Sequence, residues 1–372
     1  MRRKQIDIIK KDLEKKIVFI VGPRQVGKTW LAKEIAKEFP KSVYLNYDNA
    51  AHREIIKKES WLSGTDLLIL DEIHKMKGWK NYIKGVFDTR PPNMRMLVTG
   101  SARLNAQRGV GDSLAGRFFA HHLMPFTLSE LNATTYEGDL PRILERGGFP
   151  EPFLAPTNED ANRWRANYAD SLLRQDVLDF ENVSNWLAMR HVFDVLKLKV
   201  GSPISYSSIA RDIGISPTTV KRYIAIFEAL YMVFRIAPYS NKITRSILKE
   251  PKVYFYDHGF IENNGARFEN MVAVGLLKKA LGHRDATGEE KTLAFLKTKE
   301  KKEVDFALVD HTNTLEHIIE AKISDDTVSK GLRYFVEKYK VPATQVVLNL
   351  KNEYRNDSGI EIRHADRFLS EM

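Results

Sequence analysis

The segment 22–29 carries the residue types and the spacing of a phosphate-binding loop. Because glycine has no Cβ, the backbone N–H groups around Gly22 and Gly27 can turn towards a phosphate. Lys28 would then reach the β- and γ-phosphates of a nucleotide, and the hydroxyl of Thr29 would take one coordination position of Mg²⁺. The residues expected to surround the phosphates are Gly22, Pro23, Arg24, Gln25, Val26, Gly27, Lys28 and Thr29.

The neighbouring segments support the same interpretation. An apolar run, 17–21, precedes the loop, and a helical pattern, 30–39, follows it. Strand, glycine-rich loop and helix is the context that a Walker A motif requires. The helix N-terminus would add its partial positive charge to the site. The sequence therefore predicts that ATP and Mg²⁺ are the cofactors.

Two carboxylates follow a second apolar run. Residues 67–70 are all large and aliphatic, which is typical of a parallel strand covered on both faces, and Asp71 and Glu72 come directly after them. We expect Asp71 to hold Mg²⁺ through water. We expect Glu72 to orient the attacking water and to take its proton, so that the protein would be an ATP hydrolase.

Two further kinds of side chain complete the predicted catalytic set. Thr99 and Ser101 lie at the end of another apolar strand, where a hydroxyl can position the lytic water or sense the γ-phosphate. Arg117 precedes a strand and is predicted to be an arginine finger, which acts on the γ-phosphate of a neighbouring subunit. Arg103 and Arg108 are weaker candidates for the same role.

The order of strands and helices predicts an α/β fold that begins with a doubly wound, parallel P-loop sheet. The strands of this sheet are expected at 17–21, 42–47, 67–70, 96–99 and 118–124. A helical lid, a winged-helix domain and a C-terminal α/β domain are expected to follow. The predicted bounds are 1–125 for the ATPase core, 126–190 for the lid and connector, 191–262 for the winged helix and 263–372 for the C-terminal domain.

Residues 203–227 predict a helix-turn-helix. Gly214 is placed to end the first helix, and Ser216 is placed to cap the second, with Pro217 at its first position. Polar and basic side chains near the start of the second helix would face away from its apolar stripe, where a recognition helix contacts bases and phosphates. Two strands, 231–236 and 252–256, would form a basic wing. The predicted DNA contacts are Thr218, Lys221, Arg222, Lys242 and Arg245.

The C-terminal region contains a second candidate site. Asp305 on one predicted strand and Glu320 on another could share a divalent metal. Lys322 would lie on the same strand face as Glu320, where it could stabilise the charge that develops on a cleaved phosphodiester. This Asp…Glu-x-Lys pattern is that of a restriction-endonuclease-like core. Ordinary solvated charges on two strands remain the alternative, as does a nuclease fold kept only as a platform.

Composition narrows the classes of protein to consider. The 372 residues are enough for two or three domains, and their formal net charge of +10 favours a polyanionic partner such as nucleic acid. The chain has no cysteine, which excludes disulfides and thiolate zinc sites. It has no apolar run of about 18 residues and no signal-type segment, so we expect a cytoplasmic protein without a membrane partner.

Together these segments resemble the prokaryotic AAA+ ATPase family that pairs an AAA-14-type ATPase domain with a C-terminal DUF4143 region. The resemblance implies an AAA+ fold, ATP hydrolysis, a winged helix, a restriction-endonuclease-like C-terminal fold and self-association, usually as a hexameric ring. Arg117 resembles the inter-subunit arginine of the family. The segments that carry the resemblance are 22–29, 70–74, 99–102, 114–117, 147–150, 251–257, 304–306 and 320–322.

The function expected from these features is that of an oligomeric ATPase that acts on DNA. ATP turnover would remodel or unwind DNA, duplex or branched, while the winged helix and the C-terminal domain hold it. Three alternatives stay open at this point. They are an ATP-gated, metal-dependent nuclease, a STAND-like switch in which the winged helix binds protein, and a passive DNA-binding protein that uses ATP as a clamp.

Overall fold

The computed structural model describes residues 3–61, 63–100, 114–132, 134–176, 185–240, 250–324 and 327–372. The chain folds as two compact units. The first contains residues 1–124 together with 229–231, and the second contains residues 125–228 and 232–372. In the described part of the chain, no helix has the length and apolar character that crossing a membrane would require.

The first unit is built on a parallel sheet. Its strands are β1 (Ile17–Val21), β2 (Ser42–Asn46), β3 (Leu67–Asp71), β4 (Arg95–Thr99) and β5 (Phe118–His122). Its helices are α1 (Ile6–Leu13), α2 (Lys28–Ala36), α3 (Ala50–Lys58) and α4 (Trp79–Thr89), with a short 3₁₀ turn at Ile73–Lys75. The order across the sheet is β2-β3-β4-β1-β5, and every paired neighbour is parallel. The predicted fold class and strand positions are confirmed.

Burial explains why the apolar runs form the centre of this sheet. All five residues of β1 and all five of β3 are buried, as expected for strands with packed elements on both faces. The side chains of Phe19, Leu68 and Leu70 share one apolar cluster with Trp79 of α4. Removing such side chains from water stabilises the sheet by roughly 1.5–3 kcal/mol each. The carboxyl ends of β1, β3 and β4 therefore meet at one rigid edge.

The second unit begins with a helical region and ends in a mixed sheet. Its helices are α5 (Leu128–Leu131), α6 (Leu140–Arg146), α7 (Pro150–Leu154), α8 (Asn158–Ser171), α9 (Trp186–Leu198), α10 (Tyr206–Ile213), α11 (Pro217–Ala229), α12 (Asn264–Thr287), α13 (Lys330–Tyr339) and α14 (Ala365–Ser370). Its strands are β6 (Val233–Pro238), β7 (Lys252–Phe255), β8 (Thr292–Lys297), β9 (Glu303–Val309), β10 (Leu315–Lys322), β11 (Ala343–Val347), β12 (Tyr354–Arg355) and β13 (Glu361–His364).

The strands expected to form a separate wing extend the C-terminal sheet. As predicted, β6 and β7 pair in antiparallel fashion. However, β6 also pairs with β8 at Ala237 and Pro238, which gives the order β12-β13-β11-β10-β9-β8-β6-β7. The predicted boundary between residues 262 and 263 thus lies inside one compact unit. The division of this unit into a winged helix and a C-terminal domain stays a prediction.

Two of the segments that carry the family resemblance, 147–150 and 251–257, contact each other in the second unit. Gly147 has a φ of +74°, and a Cβ on it would lie 2.0 Å from Oδ1 of Asp257. Oδ2 of Asp257 is 3.2 Å from Nε of Arg165, and this ion pair is buried. The glycine therefore allows the end of α6 to approach a buried carboxylate that lies just after β7. This contact fixes the helical region against the β6–β7 ribbon.

Candidate functional site

The glycine-rich loop connects β1 to α2 at the carboxyl edge of the parallel sheet. Gly22 has a φ of +147°, and a Cβ on it would lie 2.2 Å from the carbonyl oxygen of Leu123. Gly27, with a φ of 99°, precedes α2 in a left-handed conformation. Gly22 is thus required by the close approach of the chain after β5, a reason additional to the phosphate contact expected from the sequence.

Lys28 lies inside the loop rather than on its surface. Its ammonium donates to the carbonyl oxygens of Gly22 at 3.1 Å and Pro23 at 2.5 Å, and the residue is only 8% exposed. Burial lowers the pKa of Lys28 to about 8, while the carboxylates of Glu72 and Asp71 act in the opposite direction. Both partners of the ammonium are neutral carbonyls. It can therefore exchange them for phosphate oxygens, a stronger charge-assisted contact.

Asp71, at the end of β3, is surrounded by hydroxyl groups. Its Oδ2 accepts hydrogen bonds from Thr29 at 2.9 Å and from Tyr44 at 2.6 Å, and its Oδ1 accepts one from Thr99. The two predicted magnesium residues, Thr29 and Asp71, are thus in direct contact. Hydroxyl and carboxylate oxygens are the ligands that Mg²⁺ prefers, so these residues suit that ion.

Tyr44 was not among the residues singled out from the sequence. It lies on β2, beside β3 in the sheet, and its hydroxyl also accepts a hydrogen bond from Asn46 at 3.3 Å. Burial and the bond to Asp71 raise the pKa of Tyr44 to about 12, so the hydroxyl stays protonated and donates. The ammonium of Lys33 lies 4.8 Å from the centre of its ring. Its position next to Asp71 depends on strand order, which no local motif specifies.

Glu72 is held in an unusual backbone conformation beside Asp71. Its φ of 57° places it in the left-handed region, and its N–H donates to the carbonyl oxygen of Thr99 at 3.1 Å. Its Oε2 is 3.6 Å from Nζ of Lys75 and 3.6 Å from Nε2 of His74. Burial raises the pKa of Glu72, against the opposing effect of Lys75. A carboxylate with a raised pKa is a better general base.

The remaining predicted catalytic residues have different positions. Thr99 is fully buried, and its hydroxyl is occupied by Asp71, so here it orients the carboxylate rather than a water molecule. Arg117 pairs with Asp88 through two contacts, of 2.9 Å and 3.2 Å, on a partly exposed surface. Ser101, Arg103 and Arg108 lie outside the described residues.

The helix-turn-helix has the local geometry that its sequence predicts. Gly214 ends α10 with a φ of 77°, and Oγ of Ser216 accepts the N–H of Thr219 at 3.0 Å at the start of α11. The stripe of Val220, Ile224 and Phe227 is buried. The predicted contact residues Thr218, Lys221 and Arg222 are exposed, whereas Lys242 and Arg245 lie outside the described part.

The C-terminal candidate site contains a lysine that the sequence analysis did not place there. The ammonium of Lys252, on β7, lies 2.8 Å from Glu303, 3.3 Å from Asp305 and 3.5 Å from Glu269. Glu269, on α12, also accepts a hydrogen bond from the hydroxyl of Tyr254 at 2.6 Å. Burial alone would lower the pKa of Lys252, but the three carboxylates outweigh it and raise that pKa. This group is called the Lys252 cluster below.

The predicted metal residues Asp305 and Glu320 are engaged in and beside this cluster. Oδ1 of Asp305 faces Lys252, and its Oδ2 accepts the N–H of Ala321 at 3.0 Å. Glu320 pairs with Lys322 at 2.7 Å through Oε1. Burial and the nearby Asp305 raise the pKa of Glu320. Within the described ranges, no group of three or more histidine, aspartate or glutamate side chains is arranged to hold a metal ion.

Comparison with protein families assigns both ends of the chain. A model described as an AAA domain matches residues 14–132, and one described as a domain of unknown function, DUF4143, matches residues 264–365. A third model, a domain of unknown function called DUF8612, matches residues 137–264. The helix-turn-helix, 203–227, falls in the DUF8612 match and outside the DUF4143 match.

Similar proteins and structures were also found. The chain is 26% identical over 246 residues to the uncharacterized protein Rv2008c of Mycobacterium tuberculosis, a match that covers 66% of this chain and 55% of that one. The chain thus spans about half the length of the curated relatives it matches. The Walker-type ATPase PABY2304 of Pyrococcus abyssi is 14% identical, with a TM-score of 0.45 and coverage of 72% of this chain and 95% of that chain. A RuvB structure from Thermotoga maritima is 15% identical, with a TM-score of 0.33 and coverage of 63% and 90%.

The matched residues place the phosphate loop and both carboxylates of the first site inside the AAA match, and Asp305, Glu320 and Lys322 inside the DUF4143 match. The chain therefore carries an AAA-type P-loop ATPase domain and a C-terminal DUF4143 domain, the two parts of the family that its sequence resembles.

Proposed function

We propose that this protein is an oligomeric ATP hydrolase that acts on DNA. The observation that carries the ATPase part is the convergence of Lys28, Thr29, Asp71 and Glu72 at the carboxyl edge of the parallel sheet. These groups come from a loop and a strand some 40 residues apart, joined by the bond between Thr29 and Asp71. Their chemistry matches the requirements of phosphoryl transfer to water.

Each residue has a separate task in the proposed reaction. Lys28 binds the phosphate oxygens in exchange for its carbonyl partners. Thr29 and Asp71 would hold a magnesium ion, which would neutralise negative charge on the phosphates. Glu72 orients the attacking water and takes its proton as the water oxygen bonds to the γ-phosphorus and the bond from that phosphorus to the β,γ-bridging oxygen breaks, with ADP as the leaving group. Tyr44 and Thr99 keep the carboxylate of Asp71 in a fixed orientation through their hydroxyls.

Self-association, as a hexameric ring, would complete the site through Arg117. Its pairing with Asp88 lies on a partly exposed surface, so a neighbouring nucleotide can compete for the guanidinium. In Arg117→Ala, turnover should fall strongly while ATP affinity stays near the wild-type value. Asp88→Asn is the matched control, because it breaks the same ion pair but leaves the arginine. Equal losses of turnover in both variants would show that only the ion pair matters. Arg117 would then not be an arginine finger.

The DNA part of the proposal is supported by the exposed start of α11 and by the net charge of +10. Thr218, Lys221 and Arg222 are exposed at the end of the helix where a recognition helix makes its contacts. DNA held there would be remodelled or unwound as the ATPase turns over.

The proposal is tested by measuring phosphate release with branched, duplex or single-stranded DNA and without DNA, with product lengths read on a denaturing gel. We expect branched or duplex DNA to raise the rate and the strands to stay intact. Lys28→Ala is the control for a contaminating ATPase. An ATPase rate that is the same with every DNA and without DNA would favour the STAND-like switch, in which the winged helix binds protein. Strand cuts would favour a nuclease instead.

A further inference from the structure

The Lys252 cluster is unusual because it buries a whole lysine. Lys252 is 0% exposed, and its ammonium lies within 3.5 Å of carboxylates from Glu269, Glu303 and Asp305. An ammonium without partners at such a depth would cost several kcal/mol. Here three carboxylates, from one helix and one strand, are arranged around a single positive charge. That is the arrangement by which acidic side chains hold a cation.

Three of the four carboxylate oxygens predicted to bind metal are already engaged. Asp305 uses one oxygen for Lys252 and the other for the N–H of Ala321. Glu320 uses Oε1 for Lys322, and the residue is 5% exposed. Oε2 of Glu320 is buried and has no hydrogen-bond partner among the described residues. Because both oxygens of Asp305 are engaged, a metal here would meet a single available carboxylate oxygen, whereas the predicted site shares the ion between Asp305 and Glu320.

We propose that the ammonium of Lys252 is the resident cation of the predicted nuclease-like site and takes the place of a divalent metal among its carboxylates. The C-terminal domain therefore does not cleave DNA by metal catalysis. Instead, the cluster fixes β7 to β9 and to α12 through charge. This inference is independent of the ATPase and DNA-binding proposals, because it uses none of the residues on which they rest.

The lysine comes from a strand outside the DUF4143 match, whereas its three carboxylates lie inside it. Glu303 also pairs with Lys297 at 2.6 Å, and that lysine is 36% exposed. Lys297 therefore provides a matched control: it shares a carboxylate with Lys252 but lies at the surface. Lys252→Met removes the buried charge and keeps a chain of similar length, whereas Lys297→Met removes only the exposed charge.

The experiment counts Mn²⁺ ions bound to the full chain without nucleotide, by the loss of the free-ion paramagnetic resonance signal. We expect the same number for the wild type, Lys297→Met and Asp305→Asn. Lys252→Met should bind one additional Mn²⁺, which Lys252→Met/Asp305→Asn should lose. Mn²⁺ should also raise the Tm of Lys252→Met above that of its metal-free form, a shift that Lys297→Met should not show.

Two results would overturn the proposal. One is a folded Lys252→Met, judged by circular dichroism, that gains no Mn²⁺. The other is a wild-type protein that binds a Mn²⁺ ion which Asp305→Asn abolishes, or that makes metal-dependent DNA cuts which Asp305→Asn abolishes. The second comparison does not need Lys252→Met to fold, so it decides the question in either case.

Discussion

The ATP site and the Lys252 cluster use the same residue types in opposite ways. In the first, the ammonium of Lys28 contacts carbonyl oxygens of its own loop. In the second, the ammonium of Lys252 contacts three carboxylates. Neutral carbonyls are exchanged easily for a phosphate, whereas carboxylates around a buried cation are not. The groups that contact the lysine ammonium in each site thus decide whether the nearby carboxylates can bind a phosphate or a metal ion.

The aspartates of the two sites, Asp71 and Asp305, also differ in the groups that contact them. Asp71 accepts hydrogen bonds from the hydroxyl groups of Thr29, Tyr44 and Thr99. These hydroxyl groups can rotate towards a metal or its waters. Asp305 faces an ammonium and a backbone N–H, which are fixed. A motif that pairs carboxylates with a lysine is therefore a weak predictor of catalysis until the partners of each charge are known.

The largest expected effect is at Glu72, the proposed general base of the candidate ATP site. Glu72→Gln should bind ATP with near wild-type affinity but lose about 10²–10⁴-fold in turnover, because an amide cannot take the proton of the attacking water. Lys28→Ala should lose affinity as well, since it removes a phosphate contact. Nucleotide affinity and phosphate release are measured for both. Normal turnover in Glu72→Gln would show that another group is the base.

The next largest effect is expected on the free energy of unfolding, when the Lys252 cluster is changed. Removing the Lys252 ammonium takes the shared cation away from three partly buried carboxylates, so Lys252→Met should reduce the free energy of unfolding by about 3–5 kcal/mol. Lys297→Met removes a partly exposed partner of the same Glu303 and should cost at most about 1 kcal/mol. Urea unfolding of metal-free protein measures both. Equal costs would mean that burial of Lys252 contributes nothing.

The sequence predicted the parts of both sites that are local in the chain. The phosphate loop spans 22–29, and the strand that leads to Asp71 and Glu72 is a continuous apolar run. The helix-turn-helix was equally predictable, because Gly214 and Ser216 act within their own turns. Such features depend on local backbone conformation and burial, which residue type and period indicate.

The residues that sequence reasoning missed act across strands. Tyr44 contacts Asp71, 27 positions away, only because β2 lies beside β3 in the sheet. Lys252 and Asp305 are 53 positions apart, and their contact depends on β6 joining β7 to the C-terminal sheet. The sequence suggested a separate wing for this ribbon, so nothing directed attention to its buried lysine. Strand order is a property of the whole sheet and has no local signal.

A smaller effect is expected from the hydroxyl of Tyr44. If it orients Asp71 for magnesium, Tyr44→Phe should raise the Mg²⁺ concentration for half-maximal ATPase rate by about 10–100-fold, as typical for groups that support metal ligands. Tyr47→Phe, three positions along, is the control, because that ring faces Arg53 at 5.9 Å instead. ATPase rates are measured over a range of Mg²⁺ at saturating ATP. An unchanged Mg²⁺ requirement would assign Tyr44 to packing alone.

The smallest expected effect concerns two exposed basic side chains of the second unit. Lys221 and Arg222 are exposed on α11, and phosphate contacts by them would depend on released counterions. Lys221→Gln/Arg222→Gln should reduce the slope of log affinity against log salt by about 1.8 on duplex DNA, about 0.9 for each lost contact. Arg163→Gln/Lys351→Gln, which removes two exposed charges elsewhere in the second unit, should leave the slope unchanged. Equal slopes in the wild type and in both variants would mean that α11 does not contact DNA, and that its exposed face is better suited to a protein partner.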